Sequence, residues 1–583
     1  MGDRQRLRVG AALENGMTAR TPPVKAESSS RLATDIFLLA GFCGFLFFFG
    51  LSYFGLVGAD EPRYAQVARE MLNRHDWIAP TLNGKPWLEK PVLYYWQAII
   101  AYRIFGVSDW AARIPSAADA TLTVIAIYLF LRRFRPGFQL DGALITASAA
   151  GVIGFARAAS TDMPLASMLT IAMLAWYAWY ESRARTYLAL SFFFLGLGLL
   201  AKGPVAPLLA LLIIALFTAA THDFEPLKRT FWIPGIAIFL AVGLPWYVAV
   251  QLKNPEFFRV FILQHNLARF GTNLYHHPEP FWYYLPVVFL ALLPWTVFVA
   301  VAVSKTISVW WTQKKEKKDL RSGEDLNVFL IIWLIVPVLF FSISQSKLPG
   351  YVVPALSAGS LLVSEYIRRN LSRNESVHIL KIVIHSIVAC APLVPALMIQ
   401  YILLQHRIPW SNARVPIAFS AACAVIMALT LKVSGLRMLR FVTLVPVVLV
   451  VGLVIRVGAP SLDATLSARP LANEIERLRP NFGNHSESME VAVFEAPRET
   501  EFGLAFYLNR PIARYESHQV PDGEHLVVAP EGSETVVASA VPGRRVSYLG
   551  TFASQGLDYF WVSGPITEHS ATSTQPPGVR QVL

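Results

Sequence analysis

The sequence predicts an α-helical polytopic membrane protein. The prediction rests on its composition, on repeated long apolar segments and on the placement of its basic residues. Hydrophobic residues make up 54% of the 583 residues, charged residues only 15%, and the mean hydropathy is +0.45. This composition is too apolar for a soluble enzyme of this length. The bilayer is therefore expected to be the main solvent of the chain.

Apolar segments recur from Asp35 to about Gly458. Many are close to the roughly 20 residues that a helix needs to cross a ~30 Å hydrocarbon core. We predict about thirteen transmembrane helices, at 35–57, 111–131, 140–158, 163–180, 187–201, 204–220, 231–251, 282–304, 327–345, 351–367, 380–404, 415–431 and 441–458.

Basic residues precede the first apolar segment and then occupy every second loop. The placement of the basic residues that give the formal net charge of +12 therefore indicates membrane topology rather than nucleic-acid binding. Cytoplasmic loops carry the excess of Lys and Arg, so the N-terminus is predicted in the cytoplasm and the C-terminus outside. The loops concerned contain Arg132, Arg133 and Arg135, then Arg183 and Arg185, Lys228 and Arg229, Lys314 to Lys318, Arg368 to Arg373, and Lys432 to Arg440.

Three regions follow from this pattern. Residues 1–33 are predicted to be a cytoplasmic tail, 34–458 a transmembrane domain with a large first outer loop at 58–110, and 459–583 a soluble periplasmic domain. In the last region a helical start at 471–478 and strand-like runs at 491–494, 525–528 and 548–552 predict a small α/β fold. Within the first loop, 63–72 and 92–105 are amphipathic, and the aromatic residues of the second stretch predict an interfacial helix.

Charged residues are predicted to collect at helix ends on the outer face. Taken singly, each has a simpler interpretation: Asp60 and Asp162 suit helix caps, Lys202 suits a tight turn, and Lys347 with Tyr351 suits an interfacial anchor pair. Together they exceed what capping requires, and they suit phosphate chemistry, because Arg and Lys bind phosphate oxygens. The set comprises Asp60, Glu89, Asp162, Arg63, Lys90, Lys202, Arg269 and Lys347.

A metal site is a further candidate on the same face. Glu89 and His265 offer an oxygen and an imidazole ligand for a divalent cation. A lone His is more often structural, and nothing in the pattern requires a cofactor. The three cysteines, Cys43, Cys390 and Cys423, lie in apolar segments and indicate neither a disulfide nor a zinc site.

Three motifs in these positions resemble those of the membrane-embedded lipid-linked-sugar glycosyltransferases with the GT-C fold, the superfamily that includes the protein O-mannosyltransferases. They are Asp60-Glu61-Pro62-Arg63-Tyr64-Ala65, Leu88-Glu89-Lys90-Pro91 and Thr161-Asp162. The closest resemblance is to the aminoarabinose lipid A transferases, and it covers nearly the whole chain. Pro62 is within the family pattern, whereas Val92 stands where a second proline is typical.

The resemblance implies a role for each matched residue. Asp60 and Asp162 would be the functional carboxylates, and Lys90 and Arg269 would bind the donor phosphate. The remaining positions would complete the cavity: Arg63, Tyr64, Lys202, Lys347 and Tyr351.

The resemblance also implies an inverting glycosyltransferase that moves 4-amino-4-deoxy-L-arabinose from undecaprenyl phosphate to a lipid A phosphate. Its expected location is the periplasmic face of a bacterial inner membrane, where the product gives resistance to polymyxin and cationic peptides. The partners implied are the lipid-linked donor, the lipid A acceptor and the bilayer, without nucleic acid. One alternative is a related polyprenyl-phosphate-sugar transferase acting on protein or another glycan. A lipid or sugar transporter is another, but it should show repeat symmetry and ionisable residues near mid-membrane.

Overall fold

The computed structural model describes residues 29–268, 279–315, 325–372, 377–480 and 489–565. The predicted cytoplasmic tail lies almost wholly outside these residues, as does the end of the terminal domain. The first described helix, α1, spans Ser29–Cys43 and is followed by a π-helical turn, Gly44–Phe48.

The first loop folds as helix, hairpin and helix. It contains α2 (Asp60–Asn73), β1 (Thr81–Leu82), β2 (Lys85–Pro86) and α3 (Leu93–Phe105), so both amphipathic stretches are confirmed as helices. Asn83 and Gly84 join the two short strands with φ angles of 53° and 74°. Asn-Gly is the usual pair for a two-residue hairpin turn that requires positive φ at both positions.

The aromatic side chains of α3 are buried in the protein, whereas the sequence pattern predicted that they would face the membrane–water interface. Tyr94, Tyr95 and Tyr102 are at most 3% exposed and belong to the hydrophobic core of the first loop. Their burial is possible because two of the phenols find backbone acceptors: Tyr94 donates to the carbonyl of Ala112 at 2.9 Å and Tyr102 to that of Ala65 at 3.2 Å. The exposed residues of this helix are aliphatic or lie at its end, including Ile100 and Ile104.

A helical bundle follows the first loop. Six of its described helices are long and apolar enough to cross a membrane, and the number rises to eight if each of two bent pairs is counted as one span. The bent pairs are Gln139–Ala147 with Ala150–Ala156, at 64°, and Phe281–Ala291 with Thr296–Thr312, at 115°. Two further apolar helices are shorter. The chain is thus a multi-pass membrane protein with a helical core.

The bundle helices in chain order are α4 (Asp109–Phe134), α5 (Gln139–Ala147), α6 (Ala150–Ala156), α7 (Asp162–Ser182), α8 (Arg185–Lys202), α9 (Val205–Thr221), α10 (Glu225–Thr230), α11 (Ile233–Lys253), α12 (Tyr284–Ala291), α13 (Thr296–Lys315), α14 (Asp325–Ile343), α15 (Val353–Ser372), α16 (Ile379–Cys390), α17 (Leu393–Leu397), α18 (Ile399–Gln405), α19 (Trp410–Ser434) and α20 (Leu439–Leu453).

The C-terminal region is an α/β domain, as the alternating patterns predict. After α21 (Ala459–Leu466) and α22 (Arg469–Leu478), five strands form one sheet in the order β4-β3-β5-β7-β6. The first three strands in this order are parallel and the last two pair antiparallel. The elements are β3 (Glu490–Val493), α23 (Arg498–Leu508), β4 (Ala513–Arg514), β5 (His525–Pro530), α24 (Glu534–Ala540), β6 (Arg544–Phe552) and β7 (Leu557–Pro565).

A buried ion pair joins the first loop to the bundle. Arg113 of α4 is fully buried and donates to both carboxylate oxygens of Glu61, at 2.6 and 3.3 Å. The same guanidinium also donates to the carbonyls of Leu51, Phe54 and Gly55. Glu61 in turn accepts the backbone amides of Val57 and Ala159, each at 2.8 Å. One pair therefore fixes the start of α2 against α4 and the segment before α7.

The C-terminal domain packs against the first loop through α23. Arg69 of α2 donates to the carbonyl of Phe506 at 2.6 Å and stacks over its ring at 4.3 Å. The Tyr507 hydroxyl accepts the amide of Leu56 at 2.6 Å and donates to Asp109 at 2.8 Å. Phe502 and Phe506 complete the hydrophobic core that α2 and α3 begin.

We predict that Arg113→Ala destabilises the protein by about 3–5 kcal/mol, because it leaves the Glu61 carboxylate buried and unpaired. The measurement is the free energy of unfolding in detergent. The matched control is Arg229→Ala, which breaks an ion pair with Glu225 in which both side chains are more than half exposed. An exposed pair contributes about 0–1 kcal/mol. Equal losses in the two variants would show that the buried pair is not the organising contact.

Candidate functional site

The sequence-predicted charged residues meet where several helices begin or end. The start of α2, the loop before α3, the start of α7 and the end of α8 bring together two carboxylate–cation pairs. The turn before α15 closes the same region.

The first pair is formed by Asp60 and Arg63 on successive turns of α2. The Asp60 side chain remains 53% exposed, whereas that of Arg63 is 13% exposed. The guanidinium of Arg63 lies 4.9 Å from the ring of Trp87 and 5.6 Å from that of Phe502. The cation is thus held between the first loop and the C-terminal domain, while the carboxylate faces open space.

The second pair is formed by Asp162 at the start of α7 and Lys202 at the end of α8. Asp162 also accepts a hydrogen bond from the Ser160 hydroxyl at 3.0 Å. Burial alone would raise the pKa of Asp162, but the Lys202 ammonium, the Ser160 hydroxyl and the charge of Lys90 outweigh burial and lower that pKa below its usual value. The Asp162 carboxylate is therefore ionised, and neighbouring cations stabilise its charge.

Gly350 allows the turn before α15 to approach this pair. A Cβ added to Gly350 would lie 2.5 Å from an Asp162 oxygen, closer than any side chain allows. Tyr351, the next residue, places its ring 4.5 Å from the Lys202 ammonium. The Lys202 charge is therefore held between a carboxylate and the face of an aromatic ring.

Neither Asp60 nor Asp162 acts as a helix cap. Helix α2 begins at Asp60 itself, and α7 begins at Asp162. The cap positions are Ala59 and Thr161, and neither cap residue makes a side-chain hydrogen bond to its helix. Both carboxylates instead pair with cations, so the simpler interpretation of these residues is wrong.

The remaining predicted residues differ in placement. Tyr64 lies beside Arg63 in the buried core, and burial together with Asp60 raises the pKa of its phenol well above the usual value. Lys347 is 7% exposed and donates to the carbonyl of Ser344 in its own turn, at 2.6 Å. Arg269 lies outside the described residues.

Glu89 and His265 come together as the metal hypothesis requires. The His265 Nε2 atom lies 3.9 Å from a Glu89 oxygen. Two ligand bonds of about 2.0–2.2 Å each would span this distance. Among the residues that the structure describes, no group of three or more His, Cys, Asp or Glu side chains is arranged to hold a metal ion.

The sequence did not identify two parts of the site. Arg113 supports it through Glu61, and Phe502 covers Arg63 from a domain more than 400 residues away in the chain. The one sequence signal for the role of Arg113 is that this basic residue lies inside the apolar α4 segment, where a buried charge needs a partner. Nothing local to Phe502 indicates its contact.

Two clefts flank the site. An apolar cleft of about 420 Å³ runs along the bundle from Glu61 and Arg157 and is lined chiefly by aliphatic residues such as Ile153, Leu293, Val451 and Ile455. A more polar cleft of about 660 Å³ separates the β1–β2 hairpin from the edge of the C-terminal sheet, and Trp87 and Phe502 form its inner end. The first cleft includes Glu61, the neighbour of Asp60, and the second includes Trp87 and Phe502, which contact Arg63.

Part of the chain is similar in sequence to known proteins. The family model described as dolichyl-phosphate-mannose-protein mannosyltransferase matches residues 34–261. An undecaprenyl phosphate-alpha-4-amino-4-deoxy-L-arabinose arabinosyl transferase of Pseudomonas fluorescens is 32% identical over 354 residues, which are 59% of this chain and 60% of that protein. The Yersinia pestis protein of the same name is 33% identical over 317 residues, 53% of this chain and 54% of that one. The match thus spans about three fifths of the length of these relatives or less.

A solved structure shows the same fold along nearly the entire chain. The crystal structure of ArnT from Cupriavidus metallidurans bound to undecaprenyl phosphate superposes with a TM-score of 0.72 and covers 93% of this chain and 100% of that one, at 22% identity. The apo form of that protein gives 0.70. The resemblance to the aminoarabinose transferases is thus confirmed in sequence over about three fifths of the chain, and the fold is that of the Cupriavidus structure.

Proposed function

We infer that this protein is an inverting glycosyltransferase that moves 4-amino-4-deoxy-L-arabinose from undecaprenyl phosphate to a phosphate of lipid A. The observation that carries the proposal is the presence of two carboxylate–cation pairs, Asp60–Arg63 and Asp162–Lys202, whose carboxylates both act on the phenol of Tyr64. The names of the relatives and the lipid bound by the Cupriavidus protein support this donor. The consequence for the cell would be resistance to polymyxin and other cationic peptides.

The proposed topology places this chemistry at the periplasmic face of the bacterial inner membrane. Thirteen spans, a cytoplasmic N-terminus and a periplasmic domain at 459–583 follow from the alternation of basic loops. Under this topology the starts of α2 and α7 and the end of α8 all lie on the outer side. Both lipid substrates would reach them from the outer leaflet.

The donor phosphate would be bound by cations of this site. Lys90 and Arg269 are proposed as its direct ligands, with Lys202, Arg63, Tyr64, Lys347 and Tyr351 completing the cavity. The support for Lys90 is that its charge acts on the buried Asp162, next to Lys202. Cations in a site of low dielectric stabilise the charge that develops on a leaving phosphate.

In the proposed step, an acceptor oxygen attacks the anomeric carbon from the face opposite the donor phosphate. The bond from that carbon to the phosphate oxygen breaks, and undecaprenyl phosphate leaves with the electron pair. An acceptor phosphate is already anionic near neutral pH, because its second pKa is about 6. A strong general base is therefore not required, and a carboxylate near the acceptor would orient it and balance charge.

The two carboxylates are suited to different roles. Asp60 is half exposed, so it can face the acceptor. Asp162 is bound by Lys202 and Ser160 and crowded by Gly350, so it positions cations rather than meeting the acceptor itself. The apolar cleft that begins at Glu61, one residue from Asp60, suits the acyl chains of a lipid acceptor.

We predict that Asp60→Asn lowers kcat by about 100-fold and leaves the KM for the donor unchanged, because electrostatic groups at a reacting centre contribute on this scale. Asp162→Asn should raise the KM for the donor, because Lys202 loses the carboxylate that positions it for the donor phosphate. The measurement is transfer from the undecaprenyl-linked sugar to lipid A by protein reconstituted in liposomes.

The matched control for this assay is Glu256→Gln. Its carboxylate is more than half exposed and pairs with Arg259 on the neighbouring turn. It should transfer at the wild-type rate. Wild-type kinetics for Asp60→Asn, or transfer to a peptide or another glycan in place of lipid A, would contradict the proposal.

A divalent cation between Glu89 and His265 is a separate proposal, supported by their 3.9 Å separation. We predict that the purified protein binds about one Mn²⁺ ion, measured by electron paramagnetic resonance, and that Glu89→Gln or His265→Ala lowers its affinity by about 10-fold or more. Equal binding by Glu256→Gln and the wild type is the expected control result. Equal binding by all four proteins would exclude this site.

A further inference from the structure

The geometry points to a binding site for an anionic phospholipid at the end of the bundle remote from the candidate functional site. Its ligand would be the phosphate head group of a bilayer lipid such as phosphatidylglycerol. We call it the basic cavity and define it by Lys305 of α13, Tyr366 and Asn370 of α15, and His378 and Lys381 at the start of α16. This site is independent of the proposed transferase activity.

The basic cavity has a volume of about 330 Å³. A narrower recess of about 30 Å³ continues behind it, lined by Asn327 of α14 and Arg369 of α15 and sharing Lys305, Tyr366 and Asn370 with the larger space. Lys305 is held in place by the Asn370 side-chain oxygen at 3.2 Å, and its ammonium lies 5.7 Å from the Tyr366 ring. The cation is thus positioned at the boundary of the two spaces.

The charge of this region favours an anion. Among the residues that line the two spaces there are three permanent cations, Lys305, Lys381 and Arg369, and no carboxylate. A neighbouring acid, Glu365, is 1% exposed and pairs with Arg368 at 2.7 Å, and its contact with Arg369 is longer, at 3.9 Å. A phosphate group would supply the negative charge that the lining lacks.

The recess also contains an unused hydrogen-bonding group. Asn327 is 5% exposed, and its amide nitrogen donates to Thr306 at 3.3 Å. Its side-chain oxygen is buried without a hydrogen-bond partner in the part of the chain that the structure describes. A buried polar atom of this kind is normally satisfied. A head-group hydroxyl or a water held by the phosphate would donate to it.

Apolar side chains beside the cavity indicate a lipid rather than a free anion. Helix α16 starts at the cavity and exposes a continuous stripe formed by Ile379, Leu380, Val383, Ile384 and Ile387, each 37–57% exposed. Acyl chains lying on this stripe would place a phosphate next to Lys381. Basic pockets between transmembrane helices bind anionic lipid head groups through this combination of contacts.

The basic cavity is distant from the transferase site along the bundle. The recess lies near the start of α14, and that helix runs for 19 residues before the chain turns toward Lys347 and Tyr351. At 1.5 Å per residue, α14 is about 28 Å long, and this length separates the recess from the turn that carries Lys347 and Tyr351. A lipid bound here would stabilise α13, α15 and α16 without competing with the donor or the acceptor.

The test is native mass spectrometry of the full-length protein in detergent, titrated with phosphatidylglycerol and with phosphatidylcholine of the same acyl chains. The wild type should bind phosphatidylglycerol at least about tenfold more tightly. Each cation near an anionic lipid contributes about fivefold to affinity, so Lys305→Gln combined with Lys381→Gln should weaken phosphatidylglycerol binding about 25-fold. Phosphatidylcholine binding should not change.

Two further variants keep the test decisive. Lys432→Gln removes an exposed cation at the end of α19, outside the cavity, and should leave binding unchanged. Lys381→Gln alone should weaken binding about fivefold even if the double variant does not fold. Equal affinity for the two lipids, or unchanged binding in both cavity variants, would overturn the proposal. Displacement of the lipid by millimolar inorganic phosphate would also overturn it, since the site would then select a free anion.

Discussion

The buried Glu61–Arg113 pair is the contact on which the rest of the site depends. Its carboxylate binds two backbone amides from separate segments, and its guanidinium binds three carbonyls in the turn after the first helix. Breaking a buried pair costs far more than forming it contributes, because each charge is left without water or partner. Asp60 is adjacent to Glu61, and Asp162 follows Ala159 by three residues. The pair therefore fixes the spacing between Asp60 and Asp162.

The C-terminal domain completes this arrangement from the other side. Tyr507 and Arg69 hold α23 against α2, and Phe502 then covers the guanidinium of Arg63. The cation is shielded from water on that side while Asp60 stays exposed. The domain thus forms part of the wall of the site, and a cleft of about 660 Å³ separates it from the β1–β2 hairpin.

The sequence predicted those parts of the molecule that depend on local pattern. Apolar length, the first-loop helices and the alternation of the terminal strands identified the helical bundle and the α/β domain. The strands that the sequence analysis missed are β1 and β2 of the first loop and β4 and β7 of the terminal domain. The motifs located Asp60 and Asp162, and local pattern favoured helix caps for both. Asp60 instead pairs with Arg63 in its own helix, whereas the pairing of Asp162 with Lys202, 40 residues away, depends on tertiary structure. The burial of Tyr94 and Tyr102 likewise depends on backbone acceptors that only the fold supplies.

The most direct test of the central claim is mass spectrometry of lipid A from bacteria that make the undecaprenyl-linked amino sugar but lack their own transferase. Expression of this protein should add the mass of an amino-pentose to lipid A. The Asp60→Asn variant, at the same membrane level by immunoblot, should give unmodified lipid A. Unmodified lipid A with the wild-type protein, in cells shown to contain the donor, would contradict the assignment of both sugar and acceptor.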